Sequence, residues 1–125
     1  MLPEDLPMTK TIPISVYEVV GTPFCVATGD GEKVYSRLAS ALRQNQRVLL
    51  SFRNVSLLTS AFLNAAVGQL YGKFDEGKIH SSLEVEEITP DDAELLELVE
   101  DTAKKYFEDP ERAEQLAQRA LEGDL

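Results

Sequence analysis

One cysteine, one histidine and no tryptophan stand among the 125 residues, and each scarcity removes a class of function. Cys25 cannot close an internal disulfide, so a reducing, cytoplasmic setting is expected. Zinc sites take about four ligands, drawn mostly from cysteine and histidine, and Cys25 and His80 are the whole supply. Neither a metal centre nor a cofactor is expected. No apolar run approaches the roughly 18 residues of a membrane span. The opening MLPEDLPMTK lacks the basic start and apolar stretch of a secretory signal, and residues 1–9 are expected to form a short loose leader. Clustered lysine and arginine are missing too, so neither nucleic acid nor an anionic membrane is an expected partner.

What is present is a globular composition, 43% hydrophobic with 27% charged, in a chain long enough for one domain with its own core. The net charge of -10 is uneven. Residues 1–80 hold eight Lys/Arg against seven Asp/Glu, a balance of +1, while residues 81–125 hold four against fifteen, a balance of -11. The acidic end is either a solvated face or an acidic docking surface.

The order of elements follows from patterning. TIPISVYEVV is rich in β-branched residues and reads as a strand, and after the Gly21-Thr22-Pro23 turn PFCVAT reads as another. Asp30 or Gly31 then opens a helix in which Val34, Tyr35, Leu38 and Leu42 share a face, and Asn45 ends it as a left-handed cap. RVLLSF is a nearly continuous apolar run, the pattern of a central strand covered on both faces. A loop, RNVSLL, leads to a second helix from about Ser60 to about Phe74. HSSLEVEEI alternates as a strand with one wet face. Thr89 caps a third helix with Pro90 in its first turn and Asp91 and Asp92 at the positive end of its dipole. Its inward residues are Leu95, Leu96, Val99, Ala103 and Tyr106. Asp109-Pro110 starts a last helix with Ala113, Leu116, Ala117, Ala120 and Leu121 as its stripe. The expectation is an α/β fold, a central mixed sheet of about four strands with helices packed on it and an extra C-terminal helix.

Few groups look like chemistry. Cys25 sits mid-strand, where a small buried thiol is common, and a Cys–His nucleophile would need His80 and a third group to converge on it. GTPFCVATGDGEK misses the phosphate-loop spacing because Glu32 separates Gly31 from Lys33. Asp91, Asp92, Glu94 and Glu97 belong to the start and outer face of a helix. No catalytic role is assigned.

The second helix is less ordinary. Leu63, Ala66, Val67, Leu70, Tyr71 and Phe74 form its core stripe, and Ala61, Ala65, Gly68 and Gly72 gather opposite them as a row of small residues. Each interior glycine costs about 1 kcal/mol against alanine, so close packing there is expected. Three readings stay open: the C-terminal helix of the same chain covers the row, Gly72 ends the helix early, or the row is a flat docking surface flanked by Phe62 and Asn64. At the start of this helix Ser60 is read first as the cap.

The stretches GDGEKVYSRLASAL, VLLSFRNV, LLTSAFLN and ITPDDAELLELVEDTAKKYF occur in an order that resembles the STAS-like domain family of unknown function, related to the STAS domains of anti-sigma-factor antagonists. The likeness covers about residues 10–108, with 109–125 left as a C-terminal helix or tail. The resemblance implies a STAS-like sandwich and a non-catalytic, signalling protein–protein interaction. The implied partner is a kinase-like ATPase or sigma-factor regulator. Antagonist STAS domains are phosphorylated on the second serine of an Asp-Ser-Ser step, and here Thr59, Ser60 and Ala61 take those three places. Alanine carries no hydroxyl, so that switch is expected to be lost, leaving Ser60 and Thr59 as the phosphate candidates. Ser51 stands where the family has an aspartate at a strand end. The expected partner surface is Thr59, Ser60, Ala61, Phe62, Asn64, Ala65, Gly68 and Gly72. The alternative is a homo-oligomerising module packing this row against a second copy, or an accessory protein of a defence or signalling operon.

Overall fold

A computed structural model describes residues 11–111, 114, 115 and 118. The expected leader, residues 1–9, and the apolar stripe of the expected last helix lie outside the described residues. The order is β1 (Thr11–Ser15), α1 (Val16–Val20), β2 (Phe24–Cys25), α2 (Thr28–Arg43), β3 (Arg47–Ser51), β4 (Leu57–Leu58) and α3 (Ser60–Ala66). A 3-10 helix (Gly68–Gly72), α4 (Glu76–Ser82), β5 (Leu83–Glu86) and α5 (Pro90–Glu108) complete it.

The α/β class is as expected, but the strands do not form one mixed sheet of about four. They make two parallel sheets, one of three strands ordered β1-β3-β5 and one pairing β2 with β4. In the larger sheet Ile14, Leu50 and Val85 lie in register, as do Ile12, Val48 and Leu83. These six turn to the helices. Burial alternates along β3, with Val48 and Leu50 buried between exposed Arg47 and half-buried Leu49 and Ser51. Coverage of β3 on both faces is therefore corrected: on the second face Pro13, Arg47, Glu84 and Glu86 are exposed.

Local rules explain where the elements break. TIPISVYEVV is not one strand, because the Ser15 hydroxyl accepts the Glu18 amide and caps α1, which ends on left-handed Gly21 at φ 88°. Asn45, at φ 58°, terminates α2 as expected, and Glu87, at φ 56°, stops β5. Thr89 accepts the Asp92 amide and caps α5, with Pro90 in the first turn.

The core forms between the sheet and the helices. Val34, Leu38 and Leu42 of α2 are fully buried, and Phe62, Leu63, Ala66, Val67 and Leu70 are at most 1% exposed. On α5, Leu96, Val99 and Ala103 are buried, whereas Tyr106 stays partly exposed, so the inward stripe is narrower than expected. Helices α2 and α3 share the largest helix–helix interface, and α5 closes over α3 and the 3-10 helix.

Candidate functional site

The expected surface on the second helix changes shape because that helix is not continuous. α3 stops at Ala66 and the chain proceeds as a 3-10 helix, whose three residues per turn shift the phase of every later side chain. The small residues therefore do not share one face. Ala65 turns to α2 and is 5% exposed, its Cβ near Gly31. Gly68 is buried beside Asn64 and Ala103, and the Phe107 ring lies over Gly72. The glycines do mark close packing, and the covering element is α5 of the same chain.

Phe62, Ala65 and Gly68 are accordingly corrected from surface to interior, Phe62 being 0% exposed. Ser60, Ala61 and Asn64 remain exposed. Together with Leu98, Val99 and Thr102 of α5 they line a groove of about 420 Å³. Sequence reasoning missed its α5 wall: Leu98 falls outside the expected inward stripe of Leu95, Leu96, Val99, Ala103 and Tyr106, and nothing in its spacing ties it to α3.

Thr59, not Ser60, is the cap. Its hydroxyl accepts the Phe62 amide at 3.2 Å and donates to the Val26 carbonyl at 2.9 Å. Both capacities of the Thr59 hydroxyl are thus engaged, and the exposed Ser60 becomes the accessible one. Ser51, at the strand end, accepts the Arg53 amide and shapes the following turn.

The remaining polar groups fall in other places. Cys25 is 0% exposed, and burial together with the charge of Asp30 pushes its thiol up to about 11. At neutral pH it is a protonated, poor nucleophile. His80 lies in α4 rather than in the expected strand HSSLEVEEI, and its ring nitrogen faces the Tyr71 hydroxyl at 3.4 Å and Glu76 at 3.9 Å. Cys25 and His80 therefore have separate surroundings. No group of three metal-ligating side chains occurs among the described residues. A polar hollow of about 270 Å³ involves Arg47, His80, Ser82 and Glu84, but it opens at the strand starts, whereas ligands of parallel sheets gather at the strand ends.

Tyr71 anchors a polar network that ties the 3-10 helix, α4 and α5 together. Its hydroxyl donates to Glu100 at 3.0 Å, and Lys104 reaches Glu76 at 3.1 Å and Asp101 at 3.8 Å. Burial raises the Tyr71 pKa, the charge of Glu100 adding to it, and burial also raises that of Glu100, against the opposing pull of Tyr71, His80 and Lys104. A carboxyl raised in the folded state adds stability that is fully present below its ordinary value of 4.5 and is lost as pH rises through the raised value. Glu100→Gln keeps an acceptor for Tyr71 and removes the titration. Relative to this variant, the parent chain is expected to lose stability as pH rises above 4.5, measured as diverging urea midpoints.

The described features define a class, a small α/β domain whose exposed groove flanks a capped helix start. Residues 30–93, from the first turn of α2 to the first turn of α5, match the family described as STAS-like domain of unknown function (DUF4325). That span exceeds half of the 125 residues, and the chain belongs to this family. Comparison with curated proteins and with solved structures found no match. Among the described residues no helix is long and apolar enough to cross a membrane.

Proposed function

We propose that this chain is a non-catalytic interaction domain that docks a partner protein through the start of α3 and the adjoining wall of α5. The observation that carries the reading is the uncharged groove of Ser60, Ala61, Asn64, Leu98, Val99 and Thr102, in which Leu98 is 62% exposed. Leu98, open beside Ala61 and Val99, gives the groove an apolar floor that a partner protein can cover. Family resemblance favours a kinase-like ATPase or sigma-factor regulator as that partner. The phosphoserine switch of the antagonist relatives is absent on this reading, because Ala61 occupies its position.

Co-expression with a kinase-like ATPase of the anti-sigma type, followed by affinity capture, tests the reading. The parent chain is expected to retain the ATPase and Ala61→Arg to lose it without a change in melting temperature, since Ala61 is exposed. Capture that survives Ala61→Arg would remove the groove from the account. With labelled ATP the chain is expected to stay unlabelled. Label that vanishes in Ser60→Ala would replace the surface by a switch at Ser60. A second copy is disfavoured as partner, since α5 already buries Gly68 and sets the Phe107 ring against Gly72.

A further inference from the structure

The groove walls carry no charge, but the outer rim does. Leu98 is followed one turn on by exposed Asp101 and preceded one turn back by exposed Glu94, its i+3 and i-4 neighbours on α5. Asp91 lies a further turn back, and Lys105 is the cation on this flank. Lys104 reaches Glu76 and also Asp101, at 3.8 Å, so it offsets part of the Asp101 charge and leaves Glu94 and Asp91 to carry most of the negative edge. The apolar floor is therefore bordered by a net negative edge within a segment whose balance is -11 over residues 81–125.

From this we infer that the groove takes a cationic amphipathic helix of a partner protein, with leucine-like side chains seated on Leu98, Val99 and Ala61 and lysine or arginine set against Glu94 and Asp101. The inference rests on the interaction reading above and adds the chemistry of the partner. Charge complementarity decides the sign of the occupant, because an acidic helix would set like charges against Glu94, Asp91 and Asp101, which Lys105 and Lys104 offset only in part. A volume of about 420 Å³ holds one or two large side chains, which a helix presents at i and i+4. A second copy fits poorly, because a two-fold contact sets the same surface patch against itself and would bring two net acidic rims together. Ser60, Asn64 and Thr102 supply hydroxyl and amide groups for the peptide's polar edge.

Fluorescence anisotropy of the full chain with a labelled leucine/lysine amphipathic peptide tests this, with a leucine/glutamate peptide beside it. The cationic peptide is expected to bind and the acidic one not. Leu98→Ser and the double variant Glu94→Lys/Asp101→Lys are each expected to weaken the cationic peptide about tenfold, and the double variant to admit the acidic peptide. Glu84→Lys/Glu86→Lys on the open sheet face is expected to leave binding unchanged. All the substituted residues are exposed, and circular dichroism verifies folding. Equal weakening by the sheet-face variant would reduce the binding to general charge attraction and overturn the inference. Insensitivity to Leu98→Ser would overturn it too, as would a dimer in sedimentation that Leu98→Ser dissolves. If the cationic peptide fails while Ala61→Arg still abolishes ATPase capture, the partner chemistry alone is wrong. If capture ignores Ala61→Arg, the groove reading itself falls.

Discussion

Phe62→Ala is expected to destabilise the domain by about 3–5 kcal/mol, the largest single effect foreseen here. The ring is fully buried, in the helix whose cap is Thr59, and no solvent can fill the space it leaves. Truncation removes the transfer free energy of an aromatic side chain and opens a cavity that α2 and α5 cannot both close upon. Domains of this size carry about 5–15 kcal/mol in total, so a large part of the margin goes. Chemical denaturation with a lowered midpoint and an unchanged slope is the expected record. A near-neutral Phe62→Ala that lost only partner binding would return this residue to the surface.

Gly31→Ala is the second large effect, and its sign is the informative part. Within a helix, alanine for glycine ordinarily adds about 1 kcal/mol of stability. Here a Cβ would stand 2.5 Å from the Phe62 carbonyl oxygen and 2.8 Å from the Ala65 Cβ. The first is backbone and cannot swing aside, so α2 and α3 would have to separate. Overpacking of this kind costs about 1–3 kcal/mol, and the substitution is expected to destabilise. Gly29→Ala, two residues earlier in the same helix with open space around its Cα, is the control and is expected to be neutral or stabilising. Thermal melts of the two variants side by side measure the difference.

Much of the fold was legible because it rests on local rules. Asn45 as a left-handed stop, Thr89-Pro90 as a helix start and the buried stripes of α2 and α3 all follow from residues close in sequence. The errors arose where a local signal was overridden or overlooked. Val16–Val20 looks like a strand from its β-branched residues, yet Ser15 and Glu18 carry the Ser-x-x-Glu spacing of a capped helix start, and Gly21 its stop. α4 holds Ile79 as its one buried residue, too little for any periodicity to register. β4 is two residues long and exists through its pairing with β2.

The site was legible at α3 and not at α5. Thr59-Ser60-Ala61 mark a helix start, but Ala61, Ala65, Gly68 and Gly72 share a face only on a single helix running through Phe74. The change to a 3-10 helix after Ala66 sent those residues to different neighbours. Leu98 joins the groove only through the crossing of α5 over α3, a contact between distant parts of the chain that no spacing rule encodes.

The strand pairing has a consequence for how the chain reaches this structure. Among the described residues every ladder is parallel, joining Ile12 with Val48, Val48 with Leu83 and Phe24 with Leu57, so no hairpin nucleates these sheets. Each pairing must close more than thirty residues of intervening chain before a single rung forms, and rates of folding fall as such separations grow. β3 is the hub, since neither β1 nor β5 has a neighbour in the larger sheet without it. During synthesis the β1–β3 ladder can assemble first, with the hydrogen-bonding edge of β3 left bare until β5 emerges. Over that interval the nascent chain depends on α2 and α3, already made, to shield the apolar side of a half-built sheet.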